Sequence, residues 1–176
     1  MLSGGKDSFY AAMISQPIDL GLILYYDFPR PSPHLVNIGK TIETLLLGGI
    51  PILVYKLRKG KEYIDTIDIL KKLNTSEIVA GDVYIYDHLK YMESIAKEVG
   101  ATLIEPLWGE DPIELLYKEF NLGIEALVIG AEDKASRWIG KELNKDNIEV
   151  FIKSCREMSL DPVSYTHLTL PTSDLV

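Results

Sequence analysis

Ser3-Gly4-Gly5-Lys6-Asp7-Ser8 runs without a break into Phe9-Tyr10-Ala11-Ala12-Met13-Ile14. Two glycines among hydroxyls, a cation and a carboxylate, directly before a helix-forming run, have the composition of a loop whose backbone N–H groups face an anion. Gly4 and Gly5 let the backbone come close to a ligand, the helix start adds partial positive charge, and Lys6 supplies a mobile full charge. Ser3 and Ser8 can donate to phosphate oxygens or cap the helix. Asp7 is the odd member, because a carboxylate beside a phosphate is repulsive unless a cation stands between them. It points to Mg²⁺. A Ser-Gly-Gly turn alone is more often a simple cap, and the spacing is not that of the Walker loop, Gly-x-x-x-x-Gly-Lys-Ser/Thr.

Outward from this loop the chain alternates strands and helices. A helix from Asp7 to Ser15 leads to Leu20-Gly21-Leu22-Ile23-Leu24-Tyr25-Tyr26, an apolar run suited to a strand buried on both faces. Asn37 to Leu47 reads as a helix closed by Gly48-Gly49, and Pro51 to Lys56 as the next strand. Tyr63 to Leu73 is a helix, Glu77 to Asp82 a strand, and Tyr86 to Val99 an amphipathic helix ended by Gly100. Ala101 to Glu105, Pro112 to Phe120 and Glu125 to Gly130 continue as strand, helix, strand. Alternation at this spacing predicts an α/β fold with a parallel sheet and helices on both faces.

Ligands of such sheets bind at the carboxyl ends of the strands. The polar residues there are Ser3 to Ser8, Asp27, Lys56, Gly81-Asp82, Glu105 to Trp108 and Gly130 to Asp133. Gly81 permits an adenine ring or ribose to approach the backbone, and Asp82 can accept from a hydroxyl, hold Mg²⁺, or merely cap the next helix. His34 lies in a Pro-rich loop, where it either meets substrate or is solvated. His88 and Glu93 do not make the His-Glu-x-x-His zinc pattern. Pro106-Leu107-Trp108 reads as packing.

Composition narrows the function classes. With 176 residues, 47% of them hydrophobic, the chain suits one domain with a sizeable core. A net charge of -8 argues against a broad nucleic-acid surface, which needs clustered Lys and Arg. Cys155 is the single cysteine, so no internal disulfide and no Cys-x-x-Cys site is possible; it reads as a passive helix residue. No stretch approaches ~20 continuous apolar residues and no signal peptide is seen, so the expectation is a soluble, cytoplasmic protein without a membrane partner.

Ser3 to Ser8 resembles the PP-loop of the ATP pyrophosphatase superfamily, whose members cleave ATP to AMP and pyrophosphate. The resemblance implies a three-layer, Rossmann-like nucleotide-binding fold of the adenine-nucleotide alpha-hydrolase type, with ATP and Mg²⁺ bound. Ser3, Gly4, Gly5, Lys6, Asp7, Ser8, Gly81 and Asp82 would hold the nucleotide, with Lys6 and Asp7 catalytic and Asp7 facing the metal. Together with His34, Gly48-Gly49-Ile50-Pro51, Gly81-Asp82-Val83, Glu93 and Glu105-Pro106-Leu107-Trp108, the loop is similar to the diphthine:ammonia ligase family. That narrower resemblance implies ATP-dependent amidation of diphthine on translation elongation factor 2, with ammonia as nitrogen donor and His34 and Glu93 on the substrate side. The alternatives are another PP-loop enzyme, such as a small-molecule or tRNA-modifying adenylating one, and a non-catalytic nucleotide-binding module.

Both ends depart from that pattern. A PP-loop follows a buried strand, yet only Met1 and Leu2 precede Ser3, so the first strand reads as truncated. Family members continue beyond the position of Pro162 into a Gly-Glu-rich segment on the acceptor side. Here Val163 to Val176 stands instead and looks like a translated sequencing adapter, although Tyr165, His167 and Leu168 alternate as an edge strand would. The expected organisation is therefore a nucleotide-binding domain over 1–162 and a non-native tail over 163–176, with no role for His167.

Overall fold

Pro112 shows how local chemistry sets the elements. It occupies the first turn of a helix where its missing N–H costs nothing, and Asp111 before it accepts from the N–H groups of Ile113 and Glu114 at 2.9 and 3.0 Å. The computed structural model describes residues 5–25 and 38–160 and the backbone of 166–169. In chain order these form α1 Lys6–Ile14, β1 Gly21–Tyr25, α2 Ile38–Leu47, β2 Ile52–Lys56, α3 Glu62–Lys72, β3 Glu77–Val79, α4 Tyr86–Val99, β4 Thr102–Ile104, α5 Pro112–Asn121 and β5 Ala126–Ala131. A 3-10 turn Asp133–Trp138, β6 Glu142–Leu143, α6 Ile148–Glu157 and β7 Thr166–Thr169 follow. Gly100 closes α4 in the left-handed region at φ 78°, a conformation that costs glycine nothing.

The chain is mixed α/β with short parallel strand pairs. β1 and β2 run parallel from Gly21↔Ile52 to Tyr25↔Lys56, and β3 and β4 from Glu77↔Thr102 to Val79↔Ile104. A parallel pair needs a long crossover, which α2 and α4 provide. Successive strand residues point to opposite faces, and both faces are covered. Leu22 and Ile78 pack with Leu70, Met92 and Ile95 of α3 and α4. Ile23 packs on the other side with Ala12 of α1 and Leu45 of α2. Tyr10 and Ala11 of α1 meet Leu107 and Leu115, which brings α5 against α1.

The strand expected over Glu125 to Gly130 forms, but its described neighbours are antiparallel. Ala126 pairs with Leu143 and Leu127 with Glu142, while β7 pairs from Leu127↔Thr169 to Ala131↔Thr166 across an irregularity at Val128/Gly130. The connection from β5 to β6 is a single 3-10 turn, too short for a crossover, so the chain must return antiparallel. Phe120, Val128, Leu143, Phe151, Ile152 and Cys155 form a second core behind this sheet, with Cys155 buried on α6. β7 lies in the segment set apart as an adapter-derived tail. An alternating run against an open sheet edge pairs whatever its origin, so the ladder speaks to the segment's conformation alone.

Candidate functional site

The first turn of α1 stands against the carboxyl end of β3. Gly5 is extended at φ -84° and ψ 161°, and Lys6 opens the helix with no side chain capping it. The first turn of a helix carries N–H groups and the positive end of the helix dipole. The Ser8 hydroxyl, buried, donates to the Gly5 carbonyl at 3.0 Å. Gly81 fixes how close this turn can come. A Cβ on Gly81 would lie 2.8 Å from Ser8 Cα and 3.0 Å from both the Asp7 carbonyl oxygen and the Ser8 nitrogen, all backbone atoms that cannot swing aside. On its Cβ side Gly81 thus admits the backbone of α1.

Lys6 departs from its expected role as a mobile charge. It is one of the most buried side chains in the protein, with Nζ 2.5 Å from Asp7 Oδ1 and 2.7 Å from Glu119 Oε2. Glu119 comes from α5, which the apolar contacts of Tyr10 and Ala11 with Leu115 hold against α1. Burial by itself would pull the Lys6 ammonium down, but the charges of Asp7 and Glu119 hold it above its ordinary value. Burial pushes the Glu119 carboxyl up to about 8, with Lys6 opposing and Asp7 adding to the rise. One cation between two carboxylates leaves the cluster a proton short of neutrality, and Glu119 is the member that burial inclines to take one up. The ammonium reaches Oε2 at ion-pair distance but outside hydrogen-bonding direction, so among the described residues neither Glu119 oxygen has a well-formed hydrogen bond. Asp7 is the member open to solvent, its side chain 27% exposed against 2% for Lys6 and 0% for Glu119.

A second acidic pair lies at the same strand ends. The Asp82 N–H donates to Glu105 Oε2 at 3.2 Å, so the residues following β3 and β4 are tied together. Burial, then the nearby Asp82 charge, raises the Glu105 carboxyl to about 7. Asp82 Oδ1 lies 3.3 Å from His88 Nδ1. Asp82 does not cap α4, whose N-cap is Ile85. Gly5, Lys6, Asp7, Ser8, Gly81 and Asp82 are thus gathered at one rim, with Glu105 and Glu119 beside them.

No family model and no curated protein matches this chain.

The site therefore rests on its own geometry. Ser3, Gly4 and His34 lie outside the described residues. Glu93 is exposed on α4, seven residues from its start, and at ~1.5 Å rise per residue that sets it roughly 10 Å along the helix from its N-terminus. Among the described residues no three His, Cys, Asp or Glu side chains form a metal cage. A Mg²⁺ that arrives on nucleotide phosphates needs only one or two protein carboxylates, for which partly exposed Asp7 is suited. Sequence reasoning passed over Glu119. Its signal was there: Leu115, Leu116, Glu119 and Phe120 form one buried helical face, and a carboxylate on an apolar stripe needs a buried partner.

Proposed function

We propose that the chain carries the nucleotide site of an ATP-dependent, AMP-forming amide ligase with the three-layer fold of the PP-loop enzymes, acting on diphthine of translation elongation factor 2. The observation that carries this reading is the first turn of α1, from Gly5 to Ser8, docked on Gly81 at the carboxyl ends of parallel strands. First-turn N–H groups and Lys6 would receive the β- and γ-phosphates, and Asp7 would face Mg²⁺. When ATP is bound, it supplies an adenylyl group to the substrate carboxylate: the carboxylate oxygen joins the α-phosphorus and pyrophosphate leaves. Ammonia then attacks the acyl carbon, AMP departs, and the amide nitrogen loses a proton to water or a nearby base. Stabilising charge on the leaving pyrophosphate is the contribution asked of Lys6. For that, Lys6 has to trade Glu119 for phosphate, and proton uptake by Glu119 would lower the cost of the exchange.

No described helix is long and apolar enough to cross a membrane, and cytoplasmic placement belongs to the same proposal. ATP–pyrophosphate exchange tests it, run with and without elongation factor carrying diphthine. Exchange that rises with the acceptor supports the ligase; exchange indifferent to it keeps the adenylating site but removes diphthine. Absence of any Mg²⁺-dependent ATP binding overturns the reading altogether.

A further inference from the structure

The two contacts of the Lys6 ammonium differ in kind. Asp7 is its neighbour in sequence, accepts a hydrogen bond from Nζ at 2.5 Å and keeps 27% of its side chain in solvent, so it can move with Lys6. Glu119 cannot. Leu115, one turn earlier on α5, shares a buried cluster with Tyr10, Ala11 and Leu107. Leu116 and Phe120 belong to the other core, with Phe151 and Ile152. The two clusters fix the α5 backbone on both sides of Glu119, and its carboxyl stays closed to solvent.

An ammonium has three N–H donors. One goes to Asp7, while the 2.7 Å contact with Glu119 has the distance of an ion pair without the direction of a hydrogen bond. A phosphate group offers several oxygens that can meet such donors squarely. What resists the exchange is the buried Glu119 carboxyl, which would be left with no partner at all. The charged groups of the neighbouring elements are engaged elsewhere. Glu149 and Arg156 of α6 face Tyr117, and Lys118 pairs with Glu110 at 2.5 Å.

We propose that Glu119 is a positioning residue that holds Lys6 in a withdrawn place closed to solvent, and that an anion at the first turn of α1 gains this cation only by drawing it off Glu119. The inference rests on the phosphate reading of that turn and adds a regulation to it. α5 sets how tightly the turn takes pyrophosphate, and the return of Lys6 to Glu119 favours release of the product.

Two measurements on the full chain test this with Glu119→Leu, and Glu119→Met serves as a second apolar variant should the first fold poorly. The first measurement is acetylation of lysine amines without any anion, read by peptide mass spectrometry. Lys6 should label at least about tenfold faster in the variant than in the parent, with exposed Lys59 as reference and buried Cys155 still closed to a thiol reagent. The second is calorimetric titration with pyrophosphate in EDTA. Glu119→Leu should bind about tenfold tighter than the parent, and the gain should vanish when Lys6→Met is present in both chains. Lys6 labelling that does not rise, or rises only together with Cys155, overturns the proposal, as does pyrophosphate affinity that is equal or weaker in the variant. Pyrophosphate bound by neither chain would instead remove the nucleotide reading, and the labelling would still decide whether Glu119 withholds Lys6.

Discussion

Lys6 Nζ lies 2.7 Å from Glu119 Oε2, and both side chains are closed to solvent. The pair spans the contact between α1 and α5, so it joins the phosphate-type turn to the helix that packs behind it. A buried ion pair contributes little net stability by forming, yet breaking one side leaves an uncompensated charge. That asymmetry sets the first expectation.

Lys6→Met should lower unfolding free energy by about 3 kcal/mol at neutral pH, since it leaves the Asp7 carboxylate without its cation beside the buried Glu119 carboxyl. Adding Glu119→Leu should recover a good part of the loss, with a coupling of about 1–3 kcal/mol. Urea denaturation of the two single variants and the double variant measures this. Strict additivity would show that the two side chains do not interact.

Titration of Glu119 gives stability a pH dependence of definite sign. Its folded carboxyl is raised from 4.5 to about 8, so its contribution is complete below about pH 4.5 and is lost as pH rises through 8. Glu119→Gln imitates the protonated side chain. The variant should match the parent near pH 5, exceed it near pH 9, and show a flatter profile between, read from urea midpoints across that range.

Gly81→Ala should force α1 off the end of β3, because the new methyl would meet Ser8 Cα at 2.8 Å. A loss of about 1–3 kcal/mol is expected from such overpacking. Gly100→Ala is the control: its φ is 78° with open space around it, so about 1 kcal/mol is lost to backbone strain alone. Calorimetric ATP titration should weaken for Gly81→Ala and stay unchanged for Gly100→Ala. Equal effects on ATP would detach Gly81 from the site.

Asp7→Asn should weaken ATP binding in the presence of Mg²⁺ by about tenfold or more and alter metal-free binding much less, as expected if the carboxylate faces the cation. Titrations with Mg²⁺ and with EDTA separate the two. Equal losses under both conditions would give Asp7 the single task of holding Lys6.

The sequence by itself determined the local elements and the loop. Helix ends such as Asp111-Pro112 and Gly100 carry their own stop and start chemistry. Buried strands such as Gly21–Tyr25 announce themselves as apolar runs, because these signals depend on neighbours in sequence. It also located Gly81 and Asp82 at a strand end beside the loop. Only the tertiary structure decided what those residues touch. That Gly81 is needed for the α1 backbone, that Lys6 is buried against Glu119, and that β5 runs with antiparallel neighbours all depend on contacts between distant segments.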